Sequence, residues 1–372
     1  MIDVDLRAGC EISLGFPHHT DETAPNHLRA IADYMDREGF AAEMYLGGPM
    51  VAALEAKIAG LLGKPAAMWC PTGTMAQGIA ARIHAGRTGR DTIQLHPTSH
   101  LELHEERGYH FAHGLGAELI GEWARPLTAA DLKPGGACAF IELPQRHNGG
   151  ALPVWSELEA IKARAAALDL PLHADGARLW SVRPFYADRS YGEICAGFAS
   201  VYVSLYKDIG ALGGAVLAGD EDCIAEARLW LARFGGQIVS PVPMVPDALR
   251  LLDQRLERMP AYIERARALA AALSGIDGVT VTPDPPHVNM LHLRLPCDAE
   301  TAERGRDEAA RRTGVWLGNR FWALEGEGVC ALEITAGELL LDVADARLAD
   351  AVVVLAAHIG AAATRRGQTA PA

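Results

Sequence analysis

Residues 66–85 read AAMWCPTGTMAQGIAARIHA. The first five are apolar and bulky enough for a buried strand, Pro71-Thr72-Gly73-Thr74 is turn chemistry, and from Met75 to about Ala85 small and apolar residues recur at helical spacing. A strand, a glycine turn and a helix N-terminus therefore follow in order. The free N–H groups and the dipole of such a helix end favour a phosphate, although an ordinary helix cap carries the same residue types.

Outward from this stretch, short apolar runs at 92–96, 137–143, 170–174, 201–205 and 213–218 alternate with amphipathic stretches, the clearest at 155–168. This alternation predicts an α/β chain whose mostly parallel sheet is covered by helices on both faces. Ligands of such sheets bind beyond the carboxyl ends of the strands. The candidates are accordingly the residues that end the runs: Gly73, Thr74, His100, Gln145, Asp175, Ser204 and Lys207. From about 220 to 276 the chain reads as helical with a proline-rich break at 240–246, and a new α+β pattern follows, with strands at 279–281, 289–295 and 331–335 and helices at 299–312 and 344–359. The expected division is a large domain over 1–250, including the N-terminal segment, and a small C-terminal domain over 251–372.

The chain has 372 residues, of which 49% are hydrophobic and 22% charged, as in an ordinary folded protein. A formal net charge of −13 argues against a nucleic-acid partner, because such binders concentrate Lys and Arg. The seven cysteines are scattered and form no C-x-x-C pair, so neither a disulfide framework nor a zinc ribbon is expected. No basic-then-apolar leader opens the sequence, and nowhere do about eighteen apolar residues run together, which places the expected site of action in the cytoplasm, away from membranes. His104-Glu105-Glu106 with His110 and His113 fails the HExxH template, since Gly108 stands where the second histidine is required. A solvated helix face is the expectation there, and no metal.

Two further strand ends carry chemistry. HADGAR (173–178) presents a carboxylate, a glycine and then an arginine, and SLYK (204–207) delivers a lysine from an apolar strand, followed by Gly210, Gly213 and Gly214. Desolvation lowers the pKa of such a lysine and makes it a usable amine nucleophile. Each motif alone is compatible with a plain structural role. Together, a phosphate cradle, an acid able to hold a protonated ring nitrogen and an amine able to form a Schiff base are the parts that pyridoxal 5′-phosphate (PLP) requires.

The order and spacing of PTGTM (71–75), HPTSH (96–100), HADGAR and SLYK resemble the threonine aldolase and β-eliminating lyase group of the aspartate-aminotransferase-like, fold-type I PLP enzymes. The resemblance is most specific over 45–236. It implies a PLP-binding domain, a small C-terminal domain and a homodimer or homotetramer with shared active sites. By this resemblance Lys207 would bind PLP covalently and Asp175 would hold the ring nitrogen protonated. Gly73 and Thr74 would bind the phosphate with help from Ser204, and His100 would stack on the ring; it is also the candidate base for the β-hydroxyl proton, directly or through a water, with stacking alone as the alternative. Arg178 would face the substrate carboxylate, and Tyr45 would stand near the neighbouring subunit's site. The implied reaction is retro-aldol cleavage of a β-hydroxy-α-amino acid to glycine and an aldehyde; the alternative is β-elimination to a keto acid and ammonia.

The chain departs from that pattern in its substrate contacts. Arg7 is followed by Ala8 and Gly9 where the group has Ser and Asp; Gln145 aligns with a histidine near the substrate hydroxyl; Leu332 and Val239 stand near positions of arginines. Gln145 cannot act as a base and is expected to donate a hydrogen bond to the cofactor or the substrate. Arg146, Arg233 and Arg320 are the candidates to replace the missing cations. Asp208, directly after Lys207, is expected to favour the protonated amine.

Overall fold

The computed structural model describes residues 4–15, 18–19, 24–324 and 328–369. Its strands are β1 (Ile12–Ser13), β2 (Ala66–Cys70), β3 (Thr92–Leu95), β4 (Gly116–Leu119), β5 (Ala139–Glu142), β6 (Leu172–Gly176), β7 (Ser200–Ser204), β8 (Ala215–Gly219), β9 (Thr280–Thr282), β10 (Met290–Leu295), β11 (Val315–Trp316), β12 (Phe321–Ala323) and β13 (Cys330–Thr335). Its helices are α1 (Val4–Ala8), α2 (Ala24–Glu38), α3 (Pro49–Leu62), α4 (Gly73–Thr88), α5 (His100–Leu103), α6 (Gly108–Phe111), α7 (Trp155–Ala167), α8 (Tyr191–Cys195), α9 (Glu221–Arg233), α10 (Met244–Leu273), α11 (Ala299–Thr313), α12 (Glu338–Leu341) and α13 (Asp345–Thr369).

By internal packing the chain forms two compact units, one of residues 22–147 and 152–258, the other of 1–21, 148–151 and 259–372. The larger unit holds a seven-stranded sheet in the order β2-β8-β7-β6-β5-β3-β4. Only β8 runs antiparallel to its neighbours, β2 and β7; the remaining pairings are parallel. The fold is thus the mostly parallel α/β sheet with a smaller α+β unit that the alternating runs predict. Strands β6, β7 and β8 are buried along their whole length. Burial on both faces explains why these strands read as continuous rather than alternating apolar runs. It also makes the polar residues within them, His173, Asp175, Ser200 and Ser204, costly to keep without a partner.

In the smaller unit a four-stranded antiparallel sheet, β12-β13-β10-β9, packs with α11 and α13 around Leu269, Leu291, Leu293, Leu332, Val352 and Leu355. Strand β1 of the N-terminal segment pairs in parallel with β11 there. Residues 345–364 of α13 are apolar and long enough to cross a membrane by length and composition alone; Leu348, Ala351, Val352, Leu355 and Ile359 on that helix pack into the unit's core.

Candidate active site

Asp175 ends β6 and is buried. Its backbone lies in register with Glu142 of β5 on one side and Tyr202 of β7 on the other, and the Ala177 N–H donates to its Oδ1 at 3.2 Å. Gly176 follows because a Cβ there would stand 2.5 Å from the Tyr202 carbonyl oxygen. Lys207 leaves the end of β7 on a loop that closes on itself: the Leu205 N–H donates to Gly214 O at 3.2 Å and the Ala211 N–H to Leu205 O at 3.0 Å. The Trp180 indole N–H anchors the strand end by donating to Ser204 O at 2.9 Å. Gly214, at φ +94°, is a true glycine position, where a Cβ would also collide with the Trp69 indole nitrogen.

The electrostatics of this cluster follow from burial. Burial and then the Arg178 guanidinium push the Lys207 amine down to about 8, with Arg146 adding to the effect and Asp175 and Glu142 opposing it. The expectation that Asp208 would favour the ammonium form is corrected: desolvation and two arginines outweigh it, while the buried Asp208 carboxylate acts on the Tyr191 phenol. Burial raises the Asp175 carboxyl above its usual range, and Lys207 and His100 pull it back toward the charged form. Glu142, raised to about 8 by burial and next by the charge of Asp175, is mostly protonated at neutral pH.

The predicted phosphate turn opens α4. Thr72 caps it by accepting the Met75 N–H at 3.2 Å, and Gly73 is required because any Cβ there would collide with the Tyr202 hydroxyl. Thr74 donates a side-chain hydrogen bond to Glu105. Ser204 Oγ is enclosed by protein and has no hydrogen-bond partner among the described residues.

His100, at the start of α5, is joined through Nδ1 to Glu105 Oε1 at 2.8 Å, and Gln77 of α4 donates to the same oxygen at 3.2 Å. Burial and the positive charge of Lys207 drive the imidazole down to about 4, so it is neutral at working pH, whereas burial raises Glu105 to about 7. The His104 ring is tilted against His100 at 5.1 Å between centroids and hydrogen-bonds His147, Nε2 to Nε2, at 2.9 Å. The expectation of a solvated face at Glu105 is therefore corrected: its side chain is turned inward, held by His100, Gln77 and Thr74. Among the described residues no group of three His, Cys, Asp or Glu side chains could hold a metal ion.

Gln145 is buried and its orientation is decided by His96. His96 Nε2 faces two carbonyl oxygens, Glu122 O at 2.8 Å and Arg125 O at 3.0 Å, so Nε2 carries the proton and Nδ1 is an acceptor. The Gln145 amide nitrogen donates to that Nδ1 at 2.6 Å and to Thr98 Oγ1 at 3.0 Å. Both amide hydrogens are thereby used, and Oε1 is left enclosed without a partner. Gln145 can present an acceptor, and the expectation that it donates is corrected.

Lys207, Asp175, Arg178 and His100 act on one another electrostatically, as expected from sequence, with Glu142, Glu105 and Arg146 joining them. Of these additions Glu142 had a legible signal, a carboxylate ending a strand in IELPQR; Glu105 had none beyond its spacing from His100. Of the three candidate cations Arg146 acts on Lys207 and His100, whereas Arg233 lies over the Trp230 ring at 4.5 Å and Arg320 is exposed. Tyr45 is 53% exposed, its backbone held by Val239 O at 3.0 Å and by the Gln237 amide. A cavity of about 720 Å³ opens in the smaller unit, but its lining, which includes Val353, Ala356, Ala357 and Gly360, offers a single charged side chain, Asp277.

Residues 23–296 match the β-eliminating lyase family. The low specificity L-threonine aldolase of Escherichia coli K12 is 28% identical over 287 residues, covering 74% of this chain and 83% of that enzyme. The crystal structure of a candidate L-allo-threonine aldolase from Listeria monocytogenes EGD-E is 33% identical, with a TM-score of 0.85 over 95% of this chain and 98% of that one. A structure of SPT with PLP, 16% identical, shares the fold alone, with a TM-score of 0.69 over 95% of this chain and 88% of that one. With the strand-end lysine, acid and glycine turn already in place, these likenesses establish that the chain belongs to the β-eliminating lyase family, in its threonine aldolase group of fold-type I enzymes.

Proposed function

We propose that this protein is a PLP-dependent aldehyde-lyase that cleaves a β-hydroxy-α-amino acid into glycine and an aldehyde. The observation that carries the reading is the buried Asp175 carboxyl and the Lys207 amine, which act on each other electrostatically at the ends of adjacent strands, where burial leaves the amine partly uncharged near neutral pH. The larger unit is the cofactor domain. Its residues fit PLP: Gly73 and Thr74 at the start of the sixteen-residue helix α4 offer N–H groups to a phosphate, and the Ser204 hydroxyl, without a partner among the described residues, lacks only an acceptor. Bound there, the group supplies an electron sink for the pair released when a Cα bond breaks.

The chain's own groups then divide the work. Lys207 provides the amine that holds the cofactor, and Asp175 keeps the ring nitrogen protonated by accepting its hydrogen bond. Arg178, with Arg146 nearby, pairs with the substrate carboxylate. His100 would stack on the ring, and its neutral imidazole would take the β-hydroxyl proton as the Cα–Cβ bond breaks. Gln145 Oε1 is an acceptor suited to a substrate hydroxyl or ammonium group. The assembly is a homodimer or homotetramer, in which the exposed Met44, Tyr45 and Val239 meet the neighbouring subunit's site. Seven free cysteines, six of them buried, suit the reducing cytoplasm.

The test is the visible spectrum of the purified protein and of Lys207→Ala, with products assayed in the same tubes after adding L-threonine or a bulkier β-hydroxy amino acid. Absorbance at the edge of the visible that vanishes in the variant, with glycine and aldehyde formed, is expected. A keto acid and ammonia instead would replace the aldolase reading by β-elimination.

A further inference from the structure

We propose that Glu105 is a positioning residue that holds His100 with its proton on Nδ1, so that the Nε2 lone pair is the one turned to the substrate's β-oxygen. The inference rests on the aldolase reading above and concerns a residue that the sequence motifs leave aside. Its ground is geometric. Glu105 Oε1 lies 2.8 Å from His100 Nδ1, and above about pH 7, where Glu105 is ionised, its carboxylate can only accept, so a neutral imidazole in this contact carries its single proton on Nδ1. The carboxylate is itself held from α4, by Gln77 Nε2 at 3.2 Å and by the Thr74 hydroxyl. It therefore ties the imidazole to the same helix whose first turn forms the phosphate cradle.

Without this contact the ring proton is free to move, through solvent, from Nδ1 to Nε2, which replaces the Nε2 lone pair by an N–H that cannot accept a proton. A base that samples both tautomers spends part of its time inactive. The charges facing His100 from the neighbouring elements are Lys207 after β7, Arg178 after β6, Arg146 after β5, and Asp175 at the end of β6; Glu105 also acts on Lys207 and Asp175, so its substitution is read against the His100→Asn background. His104 contributes a tilted ring at 5.1 Å on the same short helical segment.

Glu105→Gln keeps the size of the side chain but allows it to donate as well as accept. The first readout needs neither cofactor nor turnover: ring ¹⁵N chemical shifts of His100 in the cofactor-free protein, assigned by their loss in His100→Asn. In the parent protein Nδ1 is expected to show the protonated, pyrrole-like shift and Nε2 the pyridine-like one. In Glu105→Gln and Glu105→Ala the two nitrogens are expected to average. The second readout is kinetic. Glu105→Gln is expected to lower kcat about tenfold to a hundredfold, with KM and the holoenzyme absorbance little changed. In the His100→Asn background the same substitution should cost nothing further.

An unprotonated Nδ1 in the parent protein would overturn the proposal, as would equal additive losses from Glu105→Gln with and without His100. If no β-hydroxy amino acid is cleaved by the parent enzyme, the aldolase reading fails, while the ¹⁵N readout still decides whether Glu105 sets the tautomer.

Discussion

Glu142 and Asp175 are register partners on the parallel strands β5 and β6, so two carboxyl groups end adjacent strands, and burial raises both, Glu142 to about 8. Glu142→Gln exchanges one neutral group for another. The holoenzyme absorbance and kcat are expected to stay within about threefold of the parent, whereas Asp175→Asn should lower kcat about a hundredfold or more by removing the partner of the ring nitrogen. The acid also carries a stability signature. Its folded pKa of about 8 lies above the ordinary carboxylate range, so its contribution is complete at low pH and is lost as pH rises toward that value. Urea midpoints of the parent should fall across this window more steeply than those of Glu142→Gln.

Acid acts on a different pair. His84 and His173 share the Ser200 hydroxyl, each at 2.7 Å, deep beneath the sheet, and burial drives His84 down to about 4 and His173 well below its usual value. Depressed imidazoles leave stability intact above about pH 6.5 and withdraw it as pH falls, because the unfolded chain takes up protons that the fold refuses. For His84 alone the loss at pH 4 is about 3 kcal/mol. His84→Gln, which keeps a donor and an acceptor for Ser200, should flatten the decline in chemical-denaturation stability between these pH values.

His96 dictates the chemistry tolerated at position 145. Gln145→Glu would set an ionised acceptor against the Nδ1 acceptor of His96, and a buried mismatch of this kind costs about 1–3 kcal/mol. A drop in thermal stability at alkaline pH is expected, partly recovered as the new carboxyl protonates; unchanged stability at alkaline pH would mean that the amide does not donate to His96.

Gly73→Ala tests the close approach of the cofactor turn to Tyr202. The added methyl would meet the phenol, so the turn must shift away from β7. We expect a loss of about 1–3 kcal/mol in stability and a weakening of PLP affinity of about tenfold or more, read by thermal unfolding and by absorbance titration.

The elements read from sequence were those with strong local signals. Strands β2, β3, β5, β6, β7 and β8 carry apolar runs because both faces of a parallel sheet are covered, and α7 shows helical spacing with Leu158, Ile161 and Ala165 buried. Strand β4, GAEL, escaped: it is a half-exposed edge of four residues with no apolar run to betray it. Strands β1, β11 and β12 are two or three residues long and exist only through their pairing.

In the candidate site the same boundary holds. Lys207, Asp175, Gly73 and Thr74 were legible because each stands within a few residues of a strand end, and strand ends follow from local periodicity in the chain alone. The neutral state of Glu142, the inward turn of Glu105, the orientation of the Gln145 amide and the lowering of the Lys207 amine by burial and two arginines were decided by the tertiary structure. Each depends on which groups meet across strands and loops distant in sequence, and on how completely water is excluded around them, since a pKa or a tautomer is set by the charges, donors and acceptors that surround a group and not by its neighbours along the chain.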